Sequence, residues 1–173
     1  MVMFMVKAII YQSHTGFSRQ FAYHFAIKVG VPVYSLKEAQ KLKDNMPVIY
    51  FSWIKNGKIV DLKKASRFNI SYVCAVGALY YSEEIVKKLK EENNIDKLYY
   101  LQGGIRYYKL NMFERHFMNS LKKSIIKKQK TTKLSDIEKE LLIKLEKGYE
   151  EIDLESLNAL IEWCINENTN IVS

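Results

Sequence analysis

The chain has 173 residues, 48% of them hydrophobic, with 27 Lys and Arg against 19 Asp and Glu and only 7 Gly and 2 Pro. That suits one domain with a sizeable core and excludes a disordered, collagen-like or linker-like chain. The net charge of +8 is unevenly spread: residues 1–133 hold 24 cations and 9 acids, residues 134–173 hold 3 and 10.

Such polarity marks either an anionic partner or two faces that neutralise each other. The longest apolar run, Met1 to Ile10, is broken by Lys7. It falls short of the ~20 apolar residues a membrane span needs. No basic leader precedes it and no small-residue cleavage site ends it, so a cytoplasmic protein is expected. Cys74 and Cys164 stand in separate apolar segments, which predicts neither a disulfide framework nor a metal cluster.

In chain order, Phe4–Tyr11 reads as a buried strand. Gly16–Val29 reads as a helix, with Phe17, Phe21, Phe25 and Val29 four apart on one face and Gly30 to end it. Val31–Tyr34 is a brief strand and Ser35–Leu42 a short helical piece. Val48–Ser52 is a strong strand, followed by the turn signal Asn56-Gly57 and a weak helix over Ile59–Phe68. Ile70–Leu79 is a strand, and Ser82 with Glu83 and Glu84 opens a helix to Asn93, acids first and lysines later as the helix dipole favours. Leu98–Leu101 is the last strand. Short apolar runs alternating with amphipathic helices predict an α/β fold with a five-stranded, doubly wound parallel sheet. The continuity of those runs fits strands covered on both faces.

After Gly104 the pattern changes. Leu110, Phe113, Phe117, Leu121 and Ile125 trace an amphipathic helix, and its polar face carries Lys122, Lys123, Lys127, Lys128, Lys130 and Lys133. Leu134–Leu145 is a helix opened by the capping box Ser135–Glu138, and Leu154–Ile165 is the last helix, opened by Asp153 or Ser156. Only one helix is needed after the fifth strand, so about 105–148 reads as a helical insertion before the last helix of a single domain over 1–173.

In open parallel sheets ligands bind beyond the carboxyl ends of the strands. The first such loop, Ser13-His14-Thr15-Gly16-Phe17-Ser18, offers three hydroxyls, a glycine and a helix N-terminus, which suit a terminal phosphate. It matches neither a Walker A nor a Gly-x-Gly-x-x-Gly pattern, and a plainly capped turn is the other reading. The third loop holds Ser52, Trp53, Ile54, Lys55, Asn56 and Gly57. Trp53 there is either a stacking platform for a flat ring or an ordinary packed side chain. The fifth, Gln102-Gly103-Gly104 through Tyr107, exposes main-chain groups that could orient a ring with an amide edge, or is a turn into the insertion.

The run Ser13 to Ser18 resembles the flavodoxin phosphate loop, Thr/Ser-x-Thr-Gly-x-Thr, and the spans Ser52–Gly57 and Gln102–Tyr108 resemble the two isoalloxazine-binding loops. Gly103 to Leu110 and the long basic insertion are similar to the flavodoxin-domain branch that includes menaquinone-dependent protoporphyrinogen oxidases. The resemblance covers 1–104 and about 150–168. It implies strand order 2-1-3-4-5 and one FMN held without a covalent bond. Ser13, Thr15, Gly16 and Ser18, with the backbone N–H groups of His14 and Phe17, would hold the phosphate. Trp53 would flank the ring and Ile54 to Gly57 meet its edge. Gln102, Gly103 and Gly104 would supply main-chain contacts, and Tyr107 would stack on the other face. No catalytic residue is identified. The implied activity is electron or hydride transfer, protoporphyrinogen-oxidase-like with a quinone acceptor, or else that of an electron carrier with a redox partner. Electron-shuttling flavodoxins are strongly acidic, whereas this body is basic and Lys55 lies near the ring position, which points away from a low-potential shuttle.

His24 and His116 share no metal spacing, and no Ser-His-Asp group or carboxylate pair supports a hydrolase. The basic helix 113–133 has three readings: lysines paired with the acidic segment after 134, contact with an anionic membrane surface, or, least favoured, nucleic-acid binding. From a different functional class, the chain could be a flavin-free module that binds an anionic surface through this helix.

Overall fold

The Val-, Ile- and Phe-rich runs pair into one mostly parallel central sheet in a structure, a computed structural model, that describes residues 5–150 and 152–169. In chain order the strands are β1 (Ala8–Gln12), β2 (Val33–Ser35), β3 (Pro47–Lys55), β4 (Lys58–Ile59), β5 (Asn69–Gly77) and β6 (Leu98–Gln102). The sheet runs β2-β1-β3-β5-β6, these five parallel, with β4 folded back antiparallel on β3. Phe4, where the first predicted strand begins, lies outside the described residues.

Among the described residues six α-helices accompany the sheet: α1 (Phe17–Val29), α2 (Leu62–Ala65), α3 (Glu83–Asn93), α4 (Met112–Gln129), α5 (Asp136–Lys147) and α6 (Asn158–Thr169). Because successive strand residues point to opposite faces, the sheet builds two cores. Ile9, Ile49, Phe51 and Cys74 pack against Phe21 and Phe25 of α1 and Leu160 and Cys164 of α6. Ile10, Val48, Tyr50 and Ala75 pack on the other side against Ala39, Ala65 and Phe68. Both cysteines are free and buried, and burial pushes the Cys74 thiol well above its ordinary pKa. They are core residues rather than reactive thiols.

Of the expected elements, β1 begins only at Ala8, β3 runs on to Lys55 and α4 ends at Gln129, and two helices differ more. The helix predicted over Ile59–Phe68 is only Leu62–Ala65. Asn56 and Gly57 adopt φ of 50° and 74°, the mirror-image two-residue turn that joins twisted antiparallel strands. Ile59 is therefore drawn into pairing with Ile54, and Asp61 at φ 56° separates that strand from the helix. The predicted last helix is a 3₁₀ turn over Leu154–Leu157 followed by α6, with the Asp153 side chain accepting from the Glu155 N–H.

The insertion stands on a stem that the sequence pattern does not show. Gly104–Ile105 (β7) pairs antiparallel with Tyr149–Glu150 (β8). Between them lie a 3₁₀ turn, Tyr107–Lys109, and the pair α4 and α5, which has its own small core of Ile105, Ile125, Leu134 and Leu145. The Ser135–Glu138 capping box forms as expected, and a second box, Asn111 with Glu114, starts α4 two residues after Leu110. The insertion is pinned to the sheet by Lys144. Its ammonium donates to the Ala78 carbonyl at 2.6 Å, pairs with Glu140 and lies over the Tyr80 and Tyr149 rings.

Candidate functional site

The carboxyl ends of β1, β3 and β5 and the insertion enclose a cavity of about 470 Å³. That is the scale of a small-molecule or cofactor site. The inner wall includes Ser13, His14, Thr15, Phe17 and Ser18, and the β3 hairpin contributes Trp53, Ile54, Lys55 and Asn56. Val76, Gly77 and Ala78 lie at the end of β5, and Gly104 lines the cavity from the stem. The outer wall is apolar and comes from α4 and α5, with Phe113, Phe117, Met118, Leu121 and Leu141 among it.

The first loop is shaped by its own hydroxyl. The Gly16 N–H donates to Ser13 Oγ at 3.1 Å, and Gly16 itself sits at φ 103°, which a side chain would strain. No side chain caps α1 from Gly16, and its first turn holds no acid. The Ser18 hydroxyl, on that first turn, is 1% exposed, lines the cavity and has no hydrogen-bond partner among the described residues. A buried unpaired hydroxyl costs roughly 1–3 kcal/mol. Beside free helix N–H groups it forms a ready site for an anion.

Trp53 lies within β3 rather than in a loop, opposite Val76 of β5. His14 stacks on it, centroids 5.2 Å apart and planes 23° from parallel. His14 Nε2 donates to Glu114 Oε1 at 2.6 Å, so the first loop is latched to the start of α4. Burial pushes the Glu114 carboxyl up, but the bonds from His14 and Asn111 outweigh it and hold its pKa below the ordinary value of 4.5. A carboxyl depressed in the folded state stabilises above its ordinary pKa and loses that contribution as pH falls through the depressed value. We expect acidification below about pH 4.5 to open the latch and change Trp53 fluorescence. The same transition in Glu114→Gln would show that another group causes it.

The fifth-strand segment is arranged differently from expectation. The Gly103 N–H donates to the Gly77 carbonyl at 2.7 Å and is not free. Gln102 donates to the Tyr149 hydroxyl, and Gly104 is held in the stem ladder. The Tyr107 hydroxyl donates to the Leu145 carbonyl and its ring packs into the insertion core, away from the cavity. Ser52 is buried and donates to the Val60 carbonyl. Ser52, Gly57, Gln102, Gly103 and Tyr107 therefore do not line the cavity, and Gly16 shapes the first loop without lining it.

Arg106, the fifth residue of the predicted fifth loop, was not expected to matter. It is 5% exposed and ties three parts of the site together. Its guanidinium donates to the Thr15 carbonyl at 2.9 Å, to Gln20 and to Glu150, and lies 3.9 Å over the Phe17 ring. No local pattern flags it, because its partners are far away in sequence.

Among the described residues no group of His, Cys, Asp and Glu could hold a metal ion, and no helix is long and apolar enough to cross a membrane. No protein-family model matches the chain, and a search of curated proteins gives no significant match.

Proposed function

We propose that the protein binds one FMN and transfers electrons or hydride through it. The observation that carries this reading is the Ser18 hydroxyl, buried without a partner at an α1 N-terminus free of acids, on the wall of a cavity that also holds Trp53. A terminal phosphate would give that hydroxyl and the helix N–H groups a partner, with Ser13 and Thr15 beside them. The mostly parallel sheet with helices around it is consistent with the flavodoxin-like arrangement of order 2-1-3-4-5, in which a flavin would sit at the switch between β1 and β3. His14 occupies one face of Trp53, so a ring that stacks on that face takes its place and releases it from Glu114.

Bound FMN would supply the redox chemistry, and the protein would supply position and electrostatics. Lys55 Nζ lies 6.0 Å from the Trp53 ring centroid. In this reading positive charge would stand at the ring end and favour a reduced, anionic ring. This supports an oxidase or dehydrogenase, protoporphyrinogen-oxidase-like with a quinone acceptor, over a low-potential carrier. At the cavity mouth Phe113 is 82% exposed and Met112 is also exposed. With the lysines further along α4 they would suit the surface of a membrane that holds a quinone. Of those lysines Lys122 and Lys128 pair with Glu146 and Glu138 of α5, as the self-neutralising reading requires.

The test is an absorption spectrum of the purified protein after FMN is added and the excess removed by desalting. We expect a retained two-band flavin spectrum and quenched Trp53 fluorescence. Trp163 packs on Tyr72 on the α6 side of the sheet, so a Trp163→Phe background isolates the Trp53 signal. No retained flavin and no fluorescence change would overturn the proposal. Turnover of a porphyrinogen with menaquinone would then separate the enzyme from a carrier that only exchanges electrons with a reductase.

A further inference from the structure

We infer that Lys109 is a ligand-contacting residue that makes the site selective for a dianionic phosphate monoester, with Arg106 as its positioning residue. This rests on the flavin reading above and specifies how the phosphate end is recognised. The phosphate loop carries no lysine or arginine of its own between Ser13 and Ser18. A monoester phosphate near neutral pH carries about −1.5 to −2 charges. Hydroxyls and helix N–H groups alone leave most of that charge unbalanced.

The structure brings the missing cations from the other end of the sheet. The segment after β7 turns as a 3₁₀ helix, with the Lys109 N–H donating to the Arg106 carbonyl at 2.9 Å. Arg106 caps that turn and Lys109 closes it. Both reach Gly16. A β-carbon placed on Gly16 would lie 3.0 Å from an Arg106 guanidinium nitrogen and 3.3 Å from Lys109 Nζ. The two cations thus crowd the residue that precedes the α1 N-terminus, on the same first loop as the unpartnered Ser18 hydroxyl.

Their roles differ. Arg106 is buried and already committed to Glu150, Gln20 and the Thr15 carbonyl. Its charge is balanced by Glu150, and its work is to hold the loop. Lys109 is exposed; its ammonium lies 6.0 Å from the Tyr108 ring centroid and forms no ion pair among the described residues. It can leave that weak ring contact for a phosphate oxygen. Charge-assisted hydrogen bonds to phosphate are the stronger kind.

The test uses the full chain and titrates FMN and riboflavin separately against wild type, Lys109→Met and Lys109→Arg, following Trp fluorescence at low and moderate salt. Because Lys109 is exposed, the variants are expected to fold. Lys109→Met should weaken FMN about tenfold, the scale of one charge-assisted hydrogen bond, and leave riboflavin within about twofold. Lys109→Arg should retain FMN affinity, and the salt dependence of FMN binding should be shallower in Lys109→Met. If wild type binds FMN but Lys109→Met weakens both flavins equally, or neither, the inference fails and the flavin reading stands. If wild type binds neither flavin, both fail.

Discussion

Gly104→Ala is expected to unseat the insertion and abolish the flavin binding proposed above. A β-carbon on Gly104 would lie 1.9 Å from the Tyr149 carbonyl oxygen and 2.8 Å from its carbon. Both are backbone atoms of β8, so no side-chain rotation relieves the clash, and the stem pair Gly104–Glu150 must open. Glu150 is the carboxylate on Arg106, and Arg106 holds the Thr15 carbonyl. One methyl group at the stem therefore loosens the first loop on the far side of the cavity. Overpacking costs typically 1–3 kcal/mol, and a backbone clash belongs at or above the upper end, about 3 kcal/mol. For a domain of this size that lowers Tm by roughly 6–12 °C. Thermal melting and FMN titration check it. An unchanged Tm with wild-type binding would mean that the stem is not the hinge of the site.

The second large effect is in the core beneath the loop. Phe25 and Phe51 are both fully buried, with ring centroids 5.7 Å apart, and join α1 to β3. Phe25→Ala removes an entire ring where neighbours on both elements are fixed, and such changes cost about 3–5 kcal/mol. Melting should fall by roughly 6–20 °C, and the α1 N-terminus should lose its fixed relation to Trp53. Phe113→Ala is the contrast. It also removes a phenyl ring, but one largely in water, so stability should move by no more than about 0.5 kcal/mol. Equal losses in the two variants would overturn this account of the core.

That contrast shows where the periodic pattern is informative and where it is not. On α1 the spacing of Phe17, Phe21, Phe25 and Val29 predicts a buried face; the three Phe are buried and Val29, at the helix end, is half-buried. The stripe expected from Leu110, Phe113, Phe117, Leu121 and Ile125 begins before α4, with Leu110 ending the 3₁₀ turn, and buries only Ile125. The rest of the stripe lies beside or above a cavity instead of a sheet. Periodicity reports which residues share a face, and burial depends on what that face meets.

The sequence by itself determined the α/β class, the order of most elements, the helix boxes at Ser135 and the turn at Asn56-Gly57. Each of these depends on residues a few positions apart, where local sterics and hydrogen bonding act. It also marked Ser13 to Ser18 and Trp53, because loops at the carboxyl ends of parallel strands must converge. Only the tertiary structure decided that β7 and β8 clamp the insertion, that His14 covers Trp53 and reaches Glu114, and that Tyr107 turns away from the cavity. Most of all, it decided the charge of the site. The first loop reads as uncharged, and its cations arrive from Arg106 and Lys109, about ninety positions away in sequence. A short-range pattern cannot carry that information, because the contact exists only once β1 and β6 lie in one sheet with the insertion folded back between them.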